Sequence, residues 1–258
     1  MPTFLWESVA FGPIHSRRLG SSLGINLMPT DEKICTFNCL YCECGWTLEK
    51  NVNARDPYPL DMVMEAVERK MGECRANGVG VDSVTFSGNG EPTLYPYFDK
   101  VIDSLIPLRD KYFPRAVISC LSNSTQLLRT EVAAALKRIE NPILKLDAGT
   151  QRMLEIVNAP VVPVDIEAIT EQLCAFNGKL VIQTLFFSGD NDGVPFNNAE
   201  GEEFDRWHER IMRIRPERIM VYSLDRETPA LNLRKFDTGF LNAIVGRLKS
   251  EGFDAVAY

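Results

Sequence analysis

The chain has 258 residues, a net charge of −7, 45% hydrophobic and 24% charged residues. That balance excludes a disordered chain and permits one sizeable core, so a single domain over residues 1–258 with an N-terminal extension at 1–21 is expected. An acidic surface disfavours phosphate backbones as partners. No segment is apolar for long enough to span a bilayer, and Met1–Phe11 has no basic region ahead of an apolar run, so neither membrane attachment nor a signal peptide is expected.

In chain order, Leu23–Met28 reads as a first strand, followed by a cysteine-bearing loop. Leu60–Cys74 has helical periodicity, with Leu60, Val63, Met64, Val67, Met71 and Cys74 on one face. Strands are expected at Val81–Ser87, Ala116–Ser122, Ile143–Ala148, Leu180–Phe187, Arg218–Leu224 and Phe253–Ala257. Helices are expected at Tyr97–Tyr112, Thr130–Ile139, Glu202–Ile214 and Thr238–Ser250, with helical segments split near Pro160 and Pro163. This alternation predicts an α/β fold, a partial (β/α)6 TIM-like barrel of parallel strands with its ligands at the C-terminal strand ends. The polar stretch Ser188–Gly201 reads as a long loop on that face, placed to act as a lid.

Seven cysteines are an odd number, and Cys35, Cys39, Cys42 and Cys44 are clustered, while Cys74, Cys120 and Cys174 are scattered. Clustering in a chain of this length points to metal binding in a reducing, cytoplasmic compartment rather than to disulfides. Cys35, Cys39 and Cys42 follow a C-x3-C-x2-C spacing, so one loop can wrap three soft thiolates around a cluster. A cubane normally takes four cysteines, and three would leave one iron open to another ligand. The competing reading is a zinc knuckle with Cys44 as fourth ligand, but the second Cys or His pair of a zinc ribbon does not follow. Only His15 and His208 are present, which gives little support to a histidine-centred metal site or hydrolase.

Cys35–Cys42, with aromatic Tyr41 before the third cysteine, resembles the signature of the radical S-adenosylmethionine superfamily. The resemblance implies a [4Fe–4S] cluster on Cys35, Cys39 and Cys42, with S-adenosyl-L-methionine on the fourth iron. It implies reductive cleavage to a 5′-deoxyadenosyl radical, and hydrogen abstraction from a substrate. It further implies an electron donor such as flavodoxin or ferredoxin. Gly88-Asn89-Gly90-Glu91 follows a strand and resembles the superfamily's glycine–glycine–glutamate motif, expected to hold the methionyl amino group; alone it is a plain βα turn. Ser122 and Asn123 end the next strand, where ribose and carboxylate contacts are expected beside the alternative of helix capping. Asp147 ends the Ile143 strand at a mouth position and suits substrate or cofactor hydroxyls, or a turn. Gln183 and Thr184 are neighbours on a strand, so one of them faces the interior: Thr184 is expected at the cofactor and Gln183 at the substrate, beside the alternative of satisfied core polar groups.

Gly12–Gly24 together with Asp147 and Tyr222–Arg226 resembles a branch related to the wyosine tRNA-base synthases. This places Tyr222 at the cofactor and Arg226 at the substrate, while Arg17 and Arg18 suit either an anionic substrate or pairing with surface carboxylates. No second cysteine cluster of the kind those synthases carry is present. The stripe Arg206, Arg210 and Arg213 reads as a solvated helix face, with Glu202 and Glu209 four residues before Arg206 and Arg213. An RNA base, a peptide or a small molecule therefore all stand as substrates. A protein-radical activase and a non-catalytic iron–sulfur electron carrier stand as further alternatives.

Overall fold

The computed structural model describes residues 4–48 and 57–258. Strand β1 (Ala10–Ser16) runs antiparallel to β2 (Gly20–Ile25), and parallel strands follow from β2 onward. These are β3 (Ser83–Phe86), β4 (Val117–Ser122), β5 (Asn141–Lys145), β6 (Val181–Leu185), β9 (Arg218–Tyr222) and β11 (Ala255–Ala257). They form one eight-stranded sheet in the order β1-β2-β3-β4-β5-β6-β9-β11. Helices α1 (Leu60–Ala76), α2 (Phe98–Tyr112), α3 (Thr130–Leu136), α4 (Gln151–Val157), α5 (Ile166–Cys174), α6 (Gly201–Ile214) and α7 (Thr238–Ser250) form the crossovers. The expected partial barrel is therefore present, and β1, from the expected N-terminal extension, adds an antiparallel edge to it.

Period-2 alternation assigns the two sheet faces. Val84 and Phe86, Ile118 and Cys120, and Ile182 and Ile219 join the large core under the helices. Ile143, Val181 and Met220 pack on the other face, inside the barrel, with Leu19, Leu121 and Val256. On α1, Val63, Val67, Met71 and Cys74 are buried at helical spacing, as the periodicity predicts. Thr150 caps α4 and Asp165 caps α5, each accepting from a backbone N–H, and Pro160 and Pro163 lie in the break between them.

The segment expected as a long loop after β6 is instead a small antiparallel sheet. β7 (Phe187–Asn191) pairs with β8 (Val194–Asn197), and β10 (Arg234–Lys235) adds to the other edge of β7. The reason is the two-residue turn Asp192-Gly193, where both residues take positive φ, +52° and +82°. Asp-Gly at such a turn matches the right-handed strand twist and specifies a hairpin. The arginine stripe on α6 also differs in part: Arg213 and Arg210 reach Glu167 on α5, while Arg206 stays with Glu202 and Glu209.

Candidate functional site

The cysteine loop lies across the C-terminal ends of β3, β4 and β5, tied down by backbone. Ile34 N donates to Asn89 O (3.0 Å) and Glu91 N donates to Ile34 O (3.0 Å). Gly90 is required by this contact: its φ is +137°, and a Cβ would come within 1.8 Å of Ile34 O. Gly88, φ +146°, likewise lies against the Asn26 carboxamide. On the far side, Asn38 N and Leu40 N donate to Ala159 O and Val157 O.

Cys35 and Cys39 are buried and Cys42 is half-buried. Phe37 N–H and Asn123 Nδ2 donate to Cys35 Sγ at 3.4 Å each, and Asn158 Nδ2 donates to Cys39 Sγ at 3.3 Å. Burial pushes the Cys35 thiol up to about 12 and also raises Cys39. Cys42 falls to about 5 because Cys44 hydrogen-bonds to it, with Lys33 adding to the effect. Cys44 is raised by the same bond and also meets Gly88 O at 3.4 Å. Lys33 is buried and donates to Gly45 O (2.8 Å); burial opposes its charge, but Cys42, Cys35 and Cys39 together hold it above its ordinary range.

Glu91 is 2% exposed and laces β3 to β4. It accepts from Ser122 Oγ (2.8 Å), Asn123 N (2.6 Å), and Thr93 N and Oγ1, and its burial raises its pKa. Asn89 faces away from the loop and clasps the N-terminal segment, donating to Trp6 O and Pro29 O and accepting from Trp6 N. Asp147 accepts from Tyr41 Oη, Asn158 Nδ2 (3.1 Å) and Leu185 N (2.9 Å), with Lys145 at 3.7 Å. Burial, then the Asp147 charge, holds the Tyr41 phenol well above its usual range. Burial also opposes the Lys145 charge, but Asp147, Tyr222 and Cys39 outweigh it and raise its pKa. A small cavity opens here, lined by Phe37, Asn123, Lys145, Asp147 and Asn158.

The structure thus gathers Cys35, Cys39, Cys42, Tyr41, Gly88, Gly90, Glu91, Ser122, Asn123 and Asp147 around one loop. Gln183 and Tyr222 lie nearby on the barrel's inner face. Thr184 lies on the opposite face, where its hydroxyl donates to Leu146 O (2.8 Å) and receives the indole N–H of Trp207 (3.2 Å). Arg17 and Arg226 stand at the exposed rim, paired with Asp225 (2.5 Å) and Glu43 (2.6 Å). Sequence reasoning missed Lys33, Asn26, Asn158 and Asn198, whose Nδ2 donates to Asp147 O (2.9 Å) and Leu185 O (2.8 Å). Lys33, two residues before Cys35 and next to future thiolates, carried a readable signal; the asparagines carried none.

Among the described residues, no three His, Cys, Asp or Glu side chains gather tightly enough to hold a metal ion. A cubane makes a different demand, since its cysteines sit on separate irons rather than around one ion. Soft thiols, N–H donors aimed at sulfur and a buried ammonium suit such a cluster.

A partial parallel barrel with a three-cysteine loop across its strand ends defines a class of cofactor-dependent enzymes. The chain belongs to the Radical SAM superfamily, whose sequence profile matches residues 33–194. It is 32% identical to the UPF0026 protein of Methanocaldococcus jannaschii over 69% of this chain and 54% of that protein. The chain thus spans about half the length of that curated relative. Its fold is similar to a radical SAM methyltransferase from Sphaerobacter thermophilus, with TM-score 0.65, 12% identity, 92% of this chain and 65% of that one. It is also similar to Streptococcus suis SuiB bound to the precursor peptide SuiA, with TM-score 0.63, 17% identity, 91% of this chain and 48% of that one. Among the described residues no helix is long and apolar enough to cross a membrane.

Proposed function

We propose that this chain is a radical S-adenosylmethionine enzyme whose Cys35, Cys39 and Cys42 hold a [4Fe–4S] cluster. The observation that carries this reading is the cysteine loop itself, docked on β3 through Ile34 and Gly90 and supplied with N–H donors by Asn123 and Asn158. When bound, cluster and S-adenosylmethionine together supply one-electron reduction and a carbon radical able to take hydrogen from a substrate. Lys33 offsets thiolate charge in a buried setting. The turn from Gly88 to Glu91 and the β4 end at Ser122 and Asn123 shape one wall for the cofactor. Asp147, fixed by Tyr41, Asn158 and Leu185 N, presents a carboxylate at the cavity for hydroxyls. The chain acts as a single domain in the cytoplasm, with a flavodoxin or ferredoxin as reductant.

The test is anaerobic reconstitution with iron and sulfide, followed by electron paramagnetic resonance of the reduced protein with and without S-adenosylmethionine. A changed signal on addition is expected. A cluster indifferent to S-adenosylmethionine would mean that Cys44 closes the fourth iron, and the chain would then be an electron carrier.

A further inference from the structure

The inner face of the barrel is self-satisfied near its base. Across β2–β5 a hydrogen-bonded chain runs from Ser22 to Thr85 (2.8 Å), Ser83 (2.9 Å), Ser119 (2.9 Å) and Asn141 (3.0 Å). Across β5–β9, Ile143, Val181 and Met220 close against Leu19 from the β1–β2 turn. Nothing at this level asks for a ligand.

Nearer the mouth, two polar groups do, with a half-buried lysine between them. Gln183 Nε2 is buried and has no hydrogen-bond partner among the described residues. Strand register pairs Gln183 with Lys145 on one side and Met220 on the other, so its carboxamide shares the inner face with both. Lys145 Nζ bonds Tyr222 Oη (2.6 Å), stands 5.2 Å from the Tyr222 ring centre and pairs loosely with Asp147 at 3.7 Å, which leaves part of its charge for a second anion. The Arg18 guanidinium lies over the same ring at 4.8 Å. Rim cations Arg17 and Arg226 are each neutralised by a carboxylate, whereas no carboxylate among the described residues pairs with Arg18. A half-buried guanidinium on an aromatic face, an ammonium on the same ring and an unpartnered buried amide N–H all favour an oxyanion.

We propose that Arg18, Lys145 and Gln183 form a substrate subsite for one anionic group, a carboxylate or a phosphate. The subsite stands on geometry; that its ligand is the substrate rests on the radical-enzyme reading above. The guanidinium fork takes two oxygens, and the Gln183 amide gains its missing acceptor. Tyr222 is a positioning residue, holding both cations through its ring and hydroxyl.

The test uses the cluster-loaded protein with two probes, inorganic phosphate observed by phosphorus NMR and carbon-13-labelled acetate by carbon NMR. Linewidths are measured with the protein oxidised and then reduced, against Arg18→Gln and Arg18→Lys. Broadening of at least one anion is expected, larger when the nearby cluster is reduced, about tenfold weaker in Arg18→Gln and partly retained in Arg18→Lys. The anion that broadens more identifies carboxylate or phosphate as the recognised group. Equal broadening in wild type and Arg18→Gln, or none in either oxidation state, would overturn the subsite. The resonance response to S-adenosylmethionine, recorded on the same samples, reports separately: its absence in wild type fails the enzyme reading whatever the anions do.

Discussion

The two halves of the barrel mouth are built by different means. On the β2–β5 side, buried carboxamides hold the cysteine loop: Asn26 grips the Gly88–Asn89 turn, Asn123 reaches Cys35, and Asn158 reaches Cys39. On the β9 side, exposed ion pairs such as Arg17–Asp225 and Arg226–Glu43 border the opening. A buried, hydrogen-bonded carboxamide fixes position without placing charge beside thiolates. An exposed ion pair contributes about 0–1 kcal/mol and exchanges partners readily. One half is therefore suited to hold a cofactor in a single geometry, and the other to yield to an incoming ligand.

The sharpest way to break this contrast is at the loop's sulfurs. Cys35→Ala, Cys39→Ala and Cys42→Ala are each expected to lower retained iron by about tenfold or more after reconstitution. Iron and sulfide analysis checks this, and a variant that keeps its full complement would remove that cysteine from the ligand set. Next comes the backbone junction. Gly90→Ala forces a methyl against Ile34 O at a φ hostile to L-residues, and is expected to cost about 3 kcal/mol in denaturant unfolding. Gly72→Ala, on α1 with only Tyr112 nearby at 4.0 Å, should gain about 0.5–1 kcal/mol. Equal responses at both glycines would show that the junction is not rigid.

A smaller step tests the carboxamides. Asn158→Ala removes the N–H donor to Cys39 and a bond to Asp147, with an expected cost of about 1–3 kcal/mol. It should also move the cluster potential to a more negative value, since an N–H donor at sulfur favours the reduced, more negative state. A redox titration that gives the wild-type potential would deny the asparagine any influence on the cluster.

The same division sets what could be read in advance. Hydrophobic period announces every parallel strand and its following helix, because burial on one face must repeat along the chain. It says little about β1, where Gly12, Pro13, His15 and Ser16 blur the alternation, or about β7 and β8, where Asp192-Gly193 was the only signal within a polar stretch. The cysteines were legible from their spacing, since their chemistry demands close approach in sequence. Asn26 on Asn89 N, Asn158 on Cys39 and Asn198 on Asp147 O act far away in sequence, and a lone asparagine has no pattern to betray it. Likewise Arg18 and Arg17 look alike as a dipeptide; only the fold assigns a carboxylate to one and a ring to the other.

The smallest expected effect lies behind the mouth, where α5 and α6 are braced. Glu167 accepts from Arg213 and from Arg210 Nη1, while Arg210 Nε also donates to Gly149 O, two residues past Asp147. The Arg213 and Arg210 bonds bring the Glu167 carboxyl down to about 2. A carboxyl depressed in the folded state stabilises it above the unfolded value, here near 4.5, and that contribution is lost as pH falls toward 2. Because the Glu167 side chain is 45% exposed, water screens the pairs, and Glu167→Gln should cost only about 0.5–1 kcal/mol at neutral pH. Thermal melts of wild type and Glu167→Gln should therefore differ at pH ~7 and converge only at pH ~2 or below. A difference that persists in acid would mean that the brace works by packing rather than by charge, making the back of the site resemble its carboxamide side rather than its ionic rim.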